Sequence, residues 1–265
     1  MILQYYAIYF LVAVLALRLP DGWLASLAAG FAFAGPVAIL IGQQAVPSWF
    51  EVGGAATIAE PGALAGALLL TGYYPVVVWA SPLLAGMWIG RRDLRAGEVR
   101  RGLLVAGAAV AAIAYGSAWM LGEILGPATH ATRFRYLMSA EPHSDMPPWV
   151  IGATGIAIAV LGGALLLGTR FPRLVWPIAA MGQLALTIYV GHLIVLHLAP
   201  DVLVREDVAG ATFTVARFTI LVLITATLWR ALLPRGPLEA VFHAPWALAR
   251  RLRRHDGRQT RVTTS

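Results

Sequence analysis

The chain has 265 residues, of which 59% are hydrophobic and 12% are charged, with a net charge of +7 and a mean hydropathy of +0.73. Soluble domains carry about 25% charged residues, so the composition argues against a water-soluble enzyme, a disordered chain and a nucleic-acid-binding domain. It favours an integral membrane protein of the helical type. Because Cys is absent, disulfides and thiolate metal sites are excluded, and we expect no metal and no bound cofactor.

Apolar runs of membrane-spanning length follow one another along the chain, since a bilayer core needs about 20 apolar residues per helix. The pattern predicts about seven transmembrane helices in an all-α bundle. The predicted spans are Ile2–Leu17, Trp23–Ile41, Tyr73–Ile89, Leu103–Leu121, Trp149–Leu167, Leu174–Leu198 and Phe213–Leu233.

The basic residues between these spans indicate an orientation. All 20 are Arg, and 16 of them fall in one set of alternating loops, against four on the other side. Cytoplasmic loops carry the excess of basic residues. The sequence therefore predicts an N-terminus outside and a C-terminus in the cytoplasm.

Two segments differ from complete spans. The apolar segment 61–70 is too short to cross a membrane and predicts a re-entrant or interfacial piece before the third span. Residues 237–254 place apolar residues near one helical face and end in four Arg, which is typical of an interfacial amphipathic helix on anionic lipid. We thus predict a bundle over 1–236, an interfacial helix over 237–254 and a disordered basic tail over 255–265.

Small residues recur at four-residue spacing, which permits close helix contact in lipid. The pairs are Gly62/Gly66, Gly86/Gly90 and Gly122/Gly126. With 27 Gly in the chain, ordinary bundle packing explains most of this pattern.

The longest polar stretch on the predicted outer side is 126–148, and it holds the first candidate pair. His143 and Asp145 are close in sequence, so a carboxylate could orient an imidazole that acts as general base. The alternative is a solvated loop whose polar residues have no specific role.

The sixth predicted span holds the second group. His192 shares a helical face with Tyr189, and Gln183 and Thr187 form a neighbouring polar stripe deeper in the span. Ionisable residues within lipid are costly and indicate function, although a neutral His that hydrogen-bonds between helices explains the pattern equally well. Arg217, inside the seventh span, either extends to the surface, pairs with a carboxylate or binds an anionic substrate.

Four stretches together resemble one group of membrane proteins. They are Thr71-Gly72-Tyr73-Tyr74-Pro75 with the later Gly90-Arg91, Pro142-His143-Ser144, Gly182-Gln183-Leu184-Ala185-Leu186-Thr187-Ile188-Tyr189, and Gly236-Pro237-Leu238-Glu239. They resemble the YeiB-like family of bacterial inner-membrane proteins, a domain of unknown function related to the heparan-α-glucosaminide N-acetyltransferase and acyltransferase-3 membrane families. The resemblance covers nearly the whole chain and implies a multi-pass protein of the bacterial plasma membrane.

The resemblance also implies that helices precede Ile2 in the complete protein, so we expect this chain to be N-terminally truncated. In the related acyltransferases the catalytic His lies in that earlier part, and it therefore corresponds to no residue here. Position 183, where the family pattern has Arg, is Gln.

The function implied by the resemblance is transfer of an acyl group from acyl-CoA, as co-substrate, to an envelope glycan or lipid. In this hypothesis His143, Asp145 and His192 carry the chemistry, and three residues bind substrate: Gln183, Tyr189 and Arg217. The expected partners are membrane lipids, acyl-CoA and the acceptor, with no nucleic acid. The alternatives are a transporter or flippase and a non-catalytic membrane subunit.

Overall fold

The computed structural model describes residues 3–45 and 61–243. These residues form helices and contain no strand, which confirms the predicted all-α class. The α-helices are α1 (Leu3–Ala16), α2 (Asp21–Ala45), α3 (Pro61–Gly66), α4 (Val76–Gly90), α5 (Gly97–Leu125), α6 (Pro147–Arg170), α7 (Pro172–Gln183), α8 (Ala185–Leu198) and α9 (Val208–Leu232). A π-helical turn follows α3 (Ala67–Thr71), and 3-10 helices follow α5 (His130–Met138) and α8 (Pro200–Val202).

Four of the described helices, α2, α5, α6 and α9, are long and apolar enough to cross a membrane. Two bent pairs raise this number to six if each pair is one span: 64–71 with α4, bent by 59°, and α7 with α8, bent by 61°. The first bend agrees with the short piece predicted before the third span. Helix α1 has only 14 residues, so the first predicted span is shorter than a usual crossing.

The chain divides into two compact units, residues 1–166 and 167–265. In unit 1, α2 and α4 pack closely around Leu24, Ala28 and Leu84. The backbones approach because Gly35 has no side chain, and a Cβ at this position would collide with the carbonyl of Val77. Helices in lipid associate through such close van der Waals contact.

A second close contact joins α5 to α6. Gly107, Gly155 and Gly162 lie against the backbone of the opposite helix, where a Cβ would collide. The glycine pairs that stand out in the sequence by their four-residue spacing have open space at the Cβ position instead. The close contacts thus depend on glycines whose partners lie on another helix.

Arg91 links three helices at the end of α4. Its guanidinium donates to the carbonyls of Leu17 and Leu19 at 2.9 and 2.6 Å and forms an ion pair with Asp21 at 2.9 Å. Arg92 also pairs with Asp21 and lies over the ring of Trp88. The turn between α1 and α2 is therefore fixed by side chains that follow α4.

Unit 2 contains α7, α8 and α9. The sixth predicted span is not one straight helix, because it breaks at Leu184, between α7 and α8. Helical structure resumes after α9 over residues 237–243. These are the first residues of the predicted interfacial helix, whose remainder lies outside the described residues together with the predicted tail.

Candidate functional site

Asp145 lies just before α6 begins, next to the first turn of α4. The indole Nε1 of Trp79, in the first turn of α4, donates to Asp145 Oδ1 at 2.7 Å. Pro75 precedes this turn and accepts the amide protons of Val78 and Trp79, so the helix start sets the position of the indole. We call Tyr74, Trp79, His143, Asp145 and Trp149 the Asp145 cluster.

The backbone of the cluster is unusual at two positions. His143 and Asp145 have φ angles of 61° and 58°, a left-handed conformation that costs a residue with a side chain about 1–3 kcal/mol. The turn is held by the amide of Ser144, which donates to the Glu141 carbonyl at 3.0 Å, and by Met146, which is buried. Strained residues cluster at functional sites, although His and Asp adopt positive φ angles more readily than most residues.

Burial changes the acidity of Asp145. It raises the pKa of the carboxyl from 3.8 to about 6, although the hydrogen bond from Trp79 and the nearby His143 act in the opposite direction. The side chain consequently changes its charge close to neutral pH, in the range where a general base is effective.

The ring of His143 is exposed and contacts two aromatic rings. Its centroid lies 6.4 Å from that of Tyr74 and 5.8 Å from that of Trp149. The structure thus brings His143 and Asp145 into one cluster, but the described hydrogen bond of the carboxylate comes from Trp79 and not from the imidazole. The buried Nε1 of Trp149 has no hydrogen-bond partner within the described residues.

The second group of candidates borders a cavity of about 460 Å³ in unit 2. His192 and Tyr189, on α8, line it with their ring centroids 5.1 Å apart, as their three-residue spacing predicts. Phe218 and Thr219 of α9 form the opposite wall. We call this space the His192 cavity. Its walls are mainly apolar, so it suits an acyl chain or a small amphiphile better than a charged group.

Gln183 and Thr187 lie at the helix break and not on a stripe inside a continuous span. Gln183 is exposed, and its Oε1 accepts from Nε of Arg230, in the last turn of α9, at 2.6 Å. The backbone amide of Thr187 donates to Glu239 at 3.0 Å, its hydroxyl donates to the same carboxylate, and the amide of Leu238 donates to the Thr187 hydroxyl at 3.2 Å. We call the Thr187–Leu238–Glu239 group the Glu239 latch.

The latch satisfies the first backbone amides of α8, which have no partner within the helix. Burial raises the pKa of Glu239, but the hydrogen bonds from Thr187 and neighbouring amides outweigh it, so the pKa is lowered overall. A Cβ at Gly236 would meet the Glu239 carboxylate and the Thr187 hydroxyl, so a side chain there would push the carboxylate out of its present position.

Arg217 projects from the exposed surface of α9 and makes no ion pair with the described residues of unit 2. It does not line the His192 cavity, although its neighbour Phe218 does. No group of three or more His, Asp and Glu suited to a metal ion occurs among the described residues.

Sequence reasoning missed Trp79 and Glu239 as partners of the candidate residues. Trp79 precedes Asp145 by 66 positions, and Glu239 follows Thr187 by 52. Both residues lie within stretches that carry the family resemblance or next to them, which is the one signal that sets them apart.

Together, the apolar helices and the polar groups near their ends define a helical membrane protein with several spans. The chain belongs to the family described as protein of unknown function DUF418, whose family model matches residues 91–247. This match confirms the predicted membership of a family with a domain of unknown function. No curated protein and no solved structure matches the chain.

Proposed function

We propose that this protein takes part in transfer of an acyl group from acyl-CoA to a hydroxyl of an envelope glycan or lipid at the plasma membrane. The observation that carries the proposal is the Asp145 cluster. It combines a half-buried carboxylate, an exposed imidazole beside it and a left-handed backbone at both residues.

In the proposed reaction, His143 accepts the proton of the acceptor hydroxyl as the oxygen attacks the thioester carbonyl. The C–S bond then breaks, the ester forms, and the imidazolium returns the proton to the CoA sulfur. Asp145, when ionised, favours the imidazolium through its charge. Its hydrogen bond from Trp79 makes it a positioning residue rather than a second base.

The proposal gives the His192 cavity of unit 2 a role of its own, which is the binding of an acyl chain. An acyl chain bound along α8 would contact Tyr189 and His192 and the apolar wall from α9. Gln183, through its bond with Arg230, and Arg217, on the exposed face of α9, are assigned to substrate binding at the surface.

The test is consumption of labelled acyl-CoA by the purified full chain with membrane lipid or glycan acceptors. General-base catalysis contributes about 10²- to 10⁴-fold to a rate, so His143→Gln should lower the rate of acyl transfer at least about 100-fold. Asp145→Asn should change the pH dependence of that rate. The matched control is His197→Gln, since His197 is exposed and lies outside the His192 cavity. Wild-type rates in His143→Gln would contradict the proposal.

Transport of a small molecule or an envelope lipid is the second candidate. The α7–α8 break favours it, because discontinuous helices often form transport sites. Substrate-dependent flux into proteoliposomes without acyl-CoA, reduced by His192→Ala, would support transport. Acyl transfer in the same preparation without flux would instead support the first candidate.

A further inference from the structure

A second cavity lies in unit 1, beside the Asp145 cluster. It has a volume of about 290 Å³ and is formed by the last turns of α5 and the 3-10 helix that follows. Tyr115 lines it and also contacts Trp149, with ring centroids 6.4 Å apart. A Cβ at Gly152 would collide with the Tyr115 ring, so the glycine provides the space for this aromatic wall. We call this space the Arg135 cavity.

One wall of the Arg135 cavity carries a fixed positive charge. Nη1 of Arg135 donates to the carbonyl of Leu125, the last residue of α5, at 2.6 Å. A cation is favourable at this end of a helix because the last carbonyls have no partner within it. One hydrogen bond uses one of five guanidinium donors, which leaves the others available to an anion.

A negative charge lines the same cavity without neutralising Arg135. Glu141 is exposed, and its carboxylate has no ion-pair or hydrogen-bond partner among the described side chains. The backbone amide of Glu141 donates to the Ser139 hydroxyl oxygen at 3.2 Å, which fixes the start of the turn at Glu141. The cavity therefore offers a cation and an anion that are not paired with each other.

The rest of the lining is apolar and continues onto an exposed surface. Leu121 and Leu125 form part of it, and Trp119, which is 71% exposed, extends the wall along α5. Two opposite charges and an apolar wall in one cavity match a molecule that has a zwitterionic head and a hydrocarbon chain. A cavity of this size holds a headgroup and leaves the chain on the helix surface.

We propose that the Arg135 cavity binds the headgroup of a phospholipid that carries both a phosphate and a primary ammonium, as in phosphatidylethanolamine. Arg135 binds the phosphate, for which guanidinium is well suited, and Glu141 binds the ammonium. A headgroup with only the phosphate would face the Glu141 charge, which is the basis of selectivity. The inference goes beyond the proposed function, because binding does not require acyl transfer.

The experiment is native mass spectrometry of the detergent-purified full chain, titrated with phosphatidylethanolamine, phosphatidylglycerol and N-acetylated phosphatidylethanolamine. Wild type should bind phosphatidylethanolamine about tenfold more tightly than the other two, a difference of about 1.4 kcal/mol. Glu141→Gln should reduce this preference to about twofold, and Arg135→Gln should weaken binding of all three lipids about tenfold. The matched controls are Glu123→Gln and Arg173→Gln, whose side chains are exposed and do not line the cavity.

Arg135→Gln also removes the hydrogen bond to α5, so a second variant keeps the test independent of folding. Gly122 lines the cavity and has open space at its Cβ position, so Gly122→Leu fills the cavity and leaves both charges in place. Loss of phosphatidylethanolamine binding in a folded Gly122→Leu protein supports the site. Equal affinity of wild type for the three lipids, or wild-type selectivity in Glu141→Gln, would overturn it. Competition by soluble phosphoethanolamine would show that the headgroup alone is recognised, whereas its absence would assign part of the affinity to the chain.

Discussion

The Asp145 cluster is surrounded by packed helices, whereas the His192 cavity is bounded by helices that bury few side chains. In unit 1, Leu24, Val78 and Leu84 are almost completely buried, and Met146 is buried directly beside Asp145. In unit 2, α8 has no buried residue, and α9 has only Thr214 and Ala226. Polar contacts instead stabilise the last residue of α7 and the first turn of α8. They are the Arg230–Gln183 hydrogen bond and the Glu239 latch. Close packing thus organises one candidate site and a few hydrogen bonds organise the other.

The largest expected effect is on the packing of unit 1. Gly35→Leu places a side chain where even a Cβ meets the Val77 carbonyl, and overpacking without room to relax costs about 3 kcal/mol or more. We expect loss of folded protein in size-exclusion chromatography. Gly30→Leu, on the same helix with open space at its Cβ, should behave as wild type. Equal folded yields of the two variants would contradict the close α2–α4 contact.

The next effect tests whether the Glu239 latch holds the start of α8. Glu239→Ala removes the acceptor of the Thr187 amide and hydroxyl. A hydrogen bond to a charged group contributes about 1.5–3 kcal/mol to stability. Hydrogen exchange of the amides at 184–188 should accelerate at least about tenfold, with unit 1 unchanged. Glu206→Ala, at an exposed loop position, is the control. Uniform acceleration in both units would mean that the latch stabilises more than the helix break.

A smaller expected effect is the pH dependence of stability, whose sign differs between the carboxylate of unit 1 and that of unit 2. The pKa of Asp145 is raised in the folded protein, so the folded state binds the proton more tightly than the unfolded state. Its contribution to stability is complete below about pH 4 and is lost as the pH rises through about 6. Glu239, with a lowered pKa, has the opposite sign, because its contribution is lost on acidification through its folded pKa.

The thermal stability of wild type should therefore fall from about pH 4 to about pH 6.5 and stay level above it, and the loss is on the order of 2 kcal/mol at most because Asp145 is partly exposed. Asp145→Asn keeps an acceptor for Trp79 and should remove this dependence, as measured by tryptophan fluorescence on heating. The profile of Glu123→Gln should match that of wild type. A pH-dependent Asp145→Asn protein would assign the transition to another group.

The smallest expected effect is at Gln183. Gln183→Ala removes one exposed hydrogen bond, and Arg230 keeps its bond to the Leu233 carbonyl at 2.7 Å. We expect a loss of about 0.5–1 kcal/mol in thermal unfolding. A loss as large as that of Glu239→Ala would mean that the two contacts at the break are equally important.

The sequence predicts the helical class well because apolar runs are a local property. For α2, α5, α6 and α9, most helix ends lie within a few residues of the ends of the predicted spans. The break at Leu184 was not predicted, since residues 174–198 remain apolar on both sides of it. A carboxylate 55 positions further along the chain stabilises the new helix start, and hydropathy does not register such a contact.

The candidate sites show the same limit. The contact between Tyr189 and His192 follows from helical spacing and was predicted, whereas the partner of Asp145 lies on another helix and was not. The left-handed φ angles of His143 and Asp145 were not predicted either, although His and Asp adopt such angles more often than most residues, because the contacts around the turn decide them. Local periodicity identified candidates, and long-range contacts decided their geometry.

The Arg91 contacts have a consequence for the order in which the protein assembles. The carbonyls of Leu17 and Leu19 obtain their side-chain donor from a residue that is synthesised more than 70 positions later. The turn between α1 and α2 therefore lacks these donors until α4 and the following Arg91 have been synthesised. The Asp145 cluster forms later still, because its carboxylate follows α5. The contacts that complete the α1–α2 turn can thus form before those of the Asp145 cluster, because Arg91 precedes Asp145 in the chain.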